Sequence, residues 1–527
     1  MGSQLMRLDR DASIQAIRDR TSPWDIVIIG GGATGLGTAV DAASRGYDIV
    51  LLEQSDFAKG TSSRSTKLVH GGVRYLQQGN VSLVMEALSE RGRLLRNAPH
   101  LVSDLAFIVP SYVWWESPFY GIGLKVYDVL AGKYGFGRSC HLSRKKVIEE
   151  IPSIQTEGLR GGTRYFDGQF DDARLAVSLA ITATQQGAVV ANYTQVDGLL
   201  KDEDGVVTGV TATDLETGVP LTIQGRVVVN ATGPQADVVR QLDKPDADPI
   251  VTPSQGVHIV LGRSFIPRDS AILVPHTDDG RVMFAIPWHD VAVIGTTDTE
   301  IDSISLEPRA LDHEIDFILS TANRYLSRPA LRSDIKSVFA GIRPLVKAGN
   351  GAATAALSRD HTILIDPDSG MLTVVGGKWT TYRKMAEDVV DQATVLGGLD
   401  PAECHTESLP IHGSCEDWAS YGRLSYYGAD TTELLKLMAH SDWGEPIHRD
   451  LPTTKAEIVW GAREEMARTV DDALSRRSRA LLFNASAASE SAEAVARLLA
   501  YELGKDDAWV TDQTSTFHEL ANGYTVD

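Results

Sequence analysis

The stretch Asp25-Ile26-Val27-Ile28-Ile29-Gly30-Gly31-Gly32-Ala33-Thr34-Gly35 decides how this chain is read. Its apolar run is a strand, and it leads directly into glycines in the spacing G-x-G-x-x-G. Small apolar residues then continue at helical spacing through Ala39 and Ala43, and a second strand follows at 48–52. Strand, glycine turn, helix, strand is a Rossmann-type unit with a right-handed crossover. Each glycine has its own physical reason. Gly30 makes the tight turn, Gly32 lets the backbone approach a pyrophosphate, and Gly35 lets helix pack on strand. The helix N-terminus offers N–H groups to the anion. Glu53, at the end of the second strand, stands where an acid would hold a ribose. The unit predicts dinucleotide binding.

Downstream, the chain alternates as mixed α/β proteins do. Residues 188–193 and 206–212 read as strands, with turns at Asp204-Gly205 and Thr217-Gly218, and 226–230 reads as a short buried strand. Residues 257–297 form a second strand-rich region, in which 282–286 and 291–295 flank a turn at Trp288-His289-Asp290. A helix is expected over 382–396, and beyond Gly397 the chain reads as mostly helical. There Val495, Leu498, Leu499 and Leu503 make one apolar stripe stopped by Gly504. These segments predict a discontinuous nucleotide-binding domain over 24–396, interrupted by a substrate domain at roughly 100–165 and 245–340, and a helical domain over 397–527.

Composition narrows the function. The 527 residues are 43% hydrophobic, enough for a multidomain globular core. Lys and Arg number 50 against 70 Asp and Glu, a formal charge of −20, which argues against nucleic-acid binding because phosphate backbones require a basic footprint. Cys140, Cys404 and Cys415 contain no C-x-x-C pair, so neither a metal site nor a disulfide scaffold is expected, and a reducing intracellular setting fits. The first two dozen residues mix charges of both signs and lack the apolar core of a secretory signal, and Met6 breaks the myristoylation pattern after Gly2. The most apolar run, 26–43, is rich in glycine and carries Asp41, so no membrane span is expected.

The segment Val229-Asn230-Ala231-Thr232-Gly233-Pro234 resembles the second cofactor-contacting segment of two-dinucleotide-type flavoproteins, although alone it reads better as a strand followed by a turn. The long stretch Gly60-Thr61-Ser62-Ser63-Arg64-Ser65-Thr66-Lys67-Leu68-Val69-His70-Gly71-Gly72-Val73-Arg74-Tyr75-Leu76 is similar to the signature of FAD-dependent glycerol-3-phosphate dehydrogenases. The likeness continues at Asp171-Asp172-Ala173-Arg174-Leu175, Gly295-Thr296-Thr297-Asp298, Gly341-Ile342-Arg343-Pro344-Leu345, Ser358-Arg359-Asp360, Gly376-Gly377-Lys378-Trp379-Thr380-Thr381-Tyr382-Arg383 and Asp471-Asp472-Ala473-Leu474-Ser475-Arg476-Arg477. It covers nearly everything from residue 24 onward. Trp379, where a smaller apolar residue is expected, is the main departure.

The resemblance implies a D-amino-acid-oxidase-like fold of class α/β: a Rossmann-type two-dinucleotide-binding FAD domain, a mixed β-sheet substrate (cap) domain and an all-α C-terminal domain. It implies FAD as cofactor, with Gly30, Gly32, Gly35, Glu53, Ser62, Ser63, Thr66, His70, Gly71, Ala231, Gly233, Gly377, Lys378 and Thr380 around it. It further implies oxidation of sn-glycerol 3-phosphate to dihydroxyacetone phosphate. Arg74, Tyr75 and Arg359 are then expected at the phosphate, since guanidinium presents a planar fork to phosphate oxygens. Arg343 and Lys378 are expected around the reacting hydroxyl, with detailed roles exchangeable. Four cations gathered without compensating acids would have no structural purpose. His258 is a candidate general base with a pKa near neutrality, although a histidine in a strand is also an ordinary core residue.

Electrons are expected to pass to a respiratory quinone from a cytoplasmic enzyme lying on the inner face of the cell membrane, as a homodimer. Residues 114–146 combine Trp114, Trp115, Phe119, Tyr120, Leu124 and Tyr127 with Lys125, Lys133, Arg138, Arg144, Lys145 and Lys146, an interfacial pattern that is also compatible with an ordinary cap-domain helix. Three readings compete: a glycerol-3-phosphate oxidase making peroxide from O2, an amine or amino-acid oxidase of similar fold, and a partner-binding flavoprotein whose redox chemistry is secondary. The first needs an additional insertion for which this chain has little room, the arginine set favours a phosphate over the second, and the intact motifs argue against the third.

Overall fold

The computed structural model describes residues 8–72, 80–114, 116–275, 277–278, 280–347 and 361–526. Among them, two large sheets lie beside a helical C-terminal region. In the first, the strand Trp24–Ile29 is central: it pairs in parallel with Ile49–Leu52 on one side and with Val219–Asn230 on the other. Val189–Ala191 extends the first side and Leu372–Gly376 the second, both in parallel, and His361–Ile365 closes the edge in antiparallel. Strands covered on both faces need no polar alternation, and Ile26, Val27, Ile28 and Val50 are accordingly fully buried. The helix Ala33–Ser44 packs on one face against the helices Asp172–Gln185 and Tyr382–Leu396, the latter with the bounds expected from sequence.

One strand reading is extended and one strand is added. The strand expected at 226–230 runs from Val219 to Asn230; its first half pairs in antiparallel with Val207–Asp214 and its second half in parallel with Trp24–Ile29, so one element serves two ladders. A strand at Thr194–Lys201, not anticipated, pairs with Val207–Asp214 through a register shift between Val196 and Gly198. The N-terminal extension also folds. Its helix Arg10–Asp19 buries Ile14 and Ile17, and the buried guanidinium of Arg10 donates to the carbonyls of Asn192 and Tyr193.

The second sheet is mixed. Val102–Ser111 pairs in antiparallel with Gly161–Phe170 and in parallel with Ser270–Val274, followed by Met283–Trp288, Val291–Gly295 and Val251–Gly262. His289, at φ 47°, turns the hairpin expected at Trp288-His289-Asp290. The long strand Ile335–Val346 lies on Val251–Gly262 in a nearly continuous ladder from Val251↔Val346 to Leu261↔Ile335, which brings Arg343 opposite Ser254 and Phe339 opposite His258.

Beyond Gly397 the chain is irregular to about residue 417 and then mostly helical, with a second irregular stretch between the helices Thr431–Met438 and Lys455–Glu464. The helix Ala492–Leu503 ends on Gly504 in the left-handed conformation, as its stripe implied, with Val495 and Leu499 fully buried. This region is joined to the first sheet through buried ion pairs. Arg477 binds Asp56 with two hydrogen bonds of 2.7 Å, and Arg476 reaches the same carboxylate as well as Asp471 and Asp472. Arg174 binds Glu465 in the same forked manner at 2.7 Å, and Arg479 pairs with Asp171 at 2.9 Å. Burial alone would raise the Asp56 pKa, but Arg477 and Arg476 hold it below the usual carboxylate range. Asp171, Arg174, Arg476 and Arg477 of the two motifs therefore place their charges at the junction with the helical region, whereas Asp172 turns to Lys67 of the signature loop.

Candidate active site

A cavity of about 410 Å³ opens at the carboxyl ends of the parallel strands, where ligands of open α/β sheets bind. Gly30, Gly32, Glu53, Ser62, Ala231 and Gly233 line it. Gly30 has φ +106°, and a Cβ there would lie 2.7 Å from the Ala231 carbonyl oxygen, so only glycine lets the two cofactor-facing turns close on one another. Gly35 lies behind the turn, its Cα against the Gly30 carbonyl; it is a packing glycine, as its place in the spacing implied. The Glu53 carboxylate accepts the N–H groups of Gly31 at 2.6 Å and Ser55 at 2.8 Å. Burial raises its pKa against the opposing pull of those two bonds. The glycine turn, the helix N-terminus and a carboxylate fixed at the end of the second strand fit a dinucleotide diphosphate and its ribose.

A second cavity of about 220 Å³ adjoins the first, sharing Thr61, Arg64, Gly376, Gly377, Lys378 and Trp379 as common wall. Arg343, Lys378, His258, Thr66, His70 and Thr380 converge on it. Arg343 is not an uncompensated cation. Nη1 donates to Asp298 at 3.2 Å and to the Gln255 carbonyl, and Nη2 donates to Thr296 Oγ1 and the Thr297 carbonyl. The guanidinium lies flat on Gly256, where a Cβ would come within 2.3 Å of Nη2 and 2.7 Å of Cζ. Asp298 thus orients the fork, and Gly256 gives it room.

His258 departs from the sequence expectation in its electrostatics. The ring is buried, stacks on Phe339 at 4.8 Å, and bonds Thr66 Oγ1 through Nε2 at 2.9 Å. Burial, with Arg343 and Lys67 nearby, drives its pKa well below the usual histidine value instead of leaving it near neutrality. The imidazole is neutral at pH 7, which leaves it able to accept a proton but at a cost for holding one. Lys67 is fully buried: Nζ meets both oxygens of Asp172 at 2.8 Å and the Ser63 carbonyl at 2.7 Å.

The FAD-dependent oxidoreductase (DAO) model matches residues 25–383, and the model of the C-terminal domain of alpha-glycerophosphate oxidase matches residues 372–510. The mitochondrial glycerol-3-phosphate dehydrogenase of Rattus norvegicus is 39% identical over 530 residues, 94% of this chain and 72% of that protein. The chain belongs to the FAD-dependent glycerol-3-phosphate dehydrogenase family. A solved family structure, the glycerol-3-phosphate dehydrogenase from Bacillus halodurans complexed with FAD, superposes with a TM-score of 0.79 at 30% identity, covering 98% of this chain and 97% of that one. The L-alpha-glycerophosphate oxidase from Mycoplasma pneumoniae shares the fold at 18% identity, with a TM-score of 0.53 over 73% of this chain.

The residues expected at the cofactor and substrate divide by position. Ser62 Oγ accepts the Ala33 N–H at 2.9 Å, at the start of the cofactor-facing helix. Thr66 sits at the smaller cavity, and His70 and Thr380 are joined there by a bond from the His70 N–H to Thr380 Oγ1 of 3.1 Å. Ser63 and Gly71 line neither cavity. Ser63 is buried behind the loop, and Gly71 packs under Tyr127, whose hydroxyl a Cβ would meet at 2.4 Å. Arg74, Tyr75 and Arg359 fall outside the described residues. Trp379 gains a purpose that the sequence did not disclose: its indole N–H donates to the Ser62 carbonyl at 2.8 Å, tying the two wall segments together. Asp298 and Arg64 lie within the family motifs, but the motifs assign them no role; an acid directly after the Gly295-Thr296-Thr297 run is the signal that could have marked the partner of Arg343.

Gly256→Ala tests the seat of Arg343. The added methyl displaces a side-chain end and no backbone, so thermal stability is expected to change little, while kcat/KM falls by about 10- to 100-fold because the fork is misplaced. Unchanged kinetics in the folded variant would show that the fork does not need this seat.

Proposed function

We propose that this enzyme oxidises sn-glycerol 3-phosphate to dihydroxyacetone phosphate, with the C2 hydride passing to FAD and the electrons passing on to a respiratory quinone. The observation that carries this reading is the convergence of Arg343, Lys378 and neutral His258 on one cavity that shares a wall with the dinucleotide cavity. FAD, when bound, supplies the two-electron acceptor. The chain does the rest. His258 takes the hydroxyl proton, and the cations of Arg343 and Lys378 stabilise the negative charge that develops on oxygen as the hydride leaves. Arg74, Tyr75 and Arg359 hold the phosphate. The name of the rat relative supports the substrate.

Replacing glycerol 3-phosphate by glycerol is expected to lower kcat/KM by at least about 10³-fold, since binding of the remote phosphate orients the carbinol. Equal rates for the two would remove the phosphate from the reading. With a soluble quinone analogue as acceptor, turnover is expected to continue without oxygen; turnover that requires oxygen and yields stoichiometric peroxide would instead establish the oxidase.

Electron exit to a quinone implies contact with a bilayer. No helix among the described residues is long and apolar enough to cross a membrane. The helix Glu116–Ala131 corrects the expected interfacial set: Tyr120, Leu124 and Tyr127 are buried against the substrate domain. Its outer stripe is apolar as well. Phe119, Ile122, Val126 and Val129 are exposed at 53%, 69%, 45% and 79%, beside Trp114 at 75%. An apolar stripe of this size suits insertion into a lipid interface. Ile122→Asp with Val129→Asp is expected to abolish co-sedimentation with anionic liposomes at low salt; equal co-sedimentation of parent and variant would place the contact elsewhere.

A further inference from the structure

Residues 301–311 form a strap between the short strand Thr299–Glu300 and the helix Asp312–Asn323. Ile304, Ser305, Leu306 and Pro308 line the dinucleotide cavity, yet Ser305 and Leu306 are also exposed, so the strap stands between the cavity and solvent. Its middle is held by charge. Glu307 Oε2 accepts Arg64 Nη2 at 2.6 Å, and Arg64 Nη1 donates to the Leu306 carbonyl at 2.8 Å. Glu307 Oε1 faces Lys59 Nζ at 3.6 Å, and Lys59 in turn binds Asp471 at 3.0 Å. The buried Tyr524 hydroxyl donates to Glu307 Oε2 at 3.1 Å, and the Tyr524 carbonyl accepts the Val338 N–H at 2.9 Å. Arg64 and Lys59 themselves line the dinucleotide cavity. Tyr524 follows the last helix, Asp507–Ala521, and Asp471 belongs to the interdomain ion cluster. One carboxylate therefore joins the strap, the signature loop and the C-terminal domain.

We propose that Glu307 is a positioning residue for the cofactor, latching the strap across the cavity through Arg64, Lys59 and Tyr524, so that the C-terminal domain sets how tightly FAD is retained. The physical case is that charge-assisted bonds, partly shielded from water, are among the stronger side-chain contacts. The strap has few apolar contacts of its own to replace them, since most of its side chains are half-buried or exposed. The inference rests on FAD as occupant of the larger cavity and not on the substrate, so its failure and that of the substrate reading are separable.

The test is the rate of FAD release from the holoenzyme, followed by the fluorescence of freed flavin after dilution, in Glu307→Gln and Tyr524→Phe. Glu307→Gln keeps the shape and removes the charge, and release is expected to quicken about tenfold or more, as loss of a charge-assisted bond would give. Tyr524→Phe, which removes one hydroxyl, should shift it in the same direction by about two- to fivefold. The apoenzyme should melt near the parent value in both, with only the FAD-induced rise in Tm diminished. Release rates equal to the parent in both variants would overturn the proposal. So would equal losses of Tm with and without FAD, which is what a merely structural strut produces. If Glu307→Gln fails to fold, Tyr524→Phe decides alone, by the same two readouts.

Discussion

Arg343→Ala is expected to lower kcat/KM by about 10²- to 10³-fold while FAD stays bound with its normal absorbance. The size follows from the site. Arg343 is held by four acceptors and by the flat surface of Gly256, so it meets the developing charge without reorganising. Removing one preorganised donor of this kind from a water-poor site costs roughly 3 to 4 kcal/mol in the transition state. Loss of the side chain also takes the 3.2 Å partner from Asp298, which keeps Ser254 and, at 3.8 Å, Arg281, so the site loses its cation and retains the carboxylate behind it. Arg343→Lys should recover only part of the loss, because an ammonium cannot reproduce the fork. Steady-state kinetics on the FAD-replete variant measures this, and full activity would remove Arg343 from the mechanism.

Asp56→Ala is the second large effect, and it acts on stability. The carboxylate answers two fully buried guanidinium groups, Arg476 and Arg477, across the junction between the dinucleotide-binding sheet and the helical domain. Breaking a buried ion pair by removing one partner leaves the other charge desolvated and costs about 3 to 5 kcal/mol. A large fall in Tm is therefore expected, with the helical domain the first to open. Because the folded pKa of Asp56 lies below its unfolded value, its contribution is present above the unfolded pKa, about 4, and is lost as pH falls through the folded one. A variant melting near the parent at neutral pH would show that Asp471 and Asp472 suffice for the two arginines. Leu474→Ala nearby, a cavity without a charge change, serves as the control at about 2 to 5 kcal/mol.

What the sequence disclosed, and what it hid, follows from the range of the interactions. The turn at Gly30 to Gly35 is local: strand, glycines and helix are fixed by neighbours in the chain, and Glu53 is a short strand away. The helix over 382–396 carries its own amphipathic signal. Thr194–Lys201 was hidden because Asp197-Gly198 reads as a turn, whereas the chain uses it as an irregularity inside a ladder. Val219–Asn230 was cut short because Pro220 and Gly225 look like breakers. Pro220 pairs at an outer ladder, and Gly225 lies where the strand passes from one partner to the next.

The helix Glu116–Ala131 shows a different limit. Both of its faces are apolar, so composition could not tell which face the core takes, and the aromatic face chosen for the membrane is in part the buried one. In the site, residue types were legible from the motifs, but partnership was not. Asp298 reaches Arg343 from 45 residues away, and the loop holding Glu307 reaches Arg64 from 243 away; such pairings are settled only by the fold. The same holds for the His258 pKa, which burial beside two cations decides.

If the cavity holding Arg343, Lys378 and His258 delivers a hydride from glycerol 3-phosphate into the adjoining cofactor cavity, anaerobic titration of the oxidised holoenzyme with glycerol 3-phosphate reveals it in one step. The visible flavin absorbance is expected to bleach, with one equivalent of dihydroxyacetone phosphate formed per flavin, and the Arg343→Ala enzyme should bleach far more slowly. Flavin that stays oxidised in the parent enzyme, while a chemical reductant bleaches it readily, would refute hydride delivery from this site.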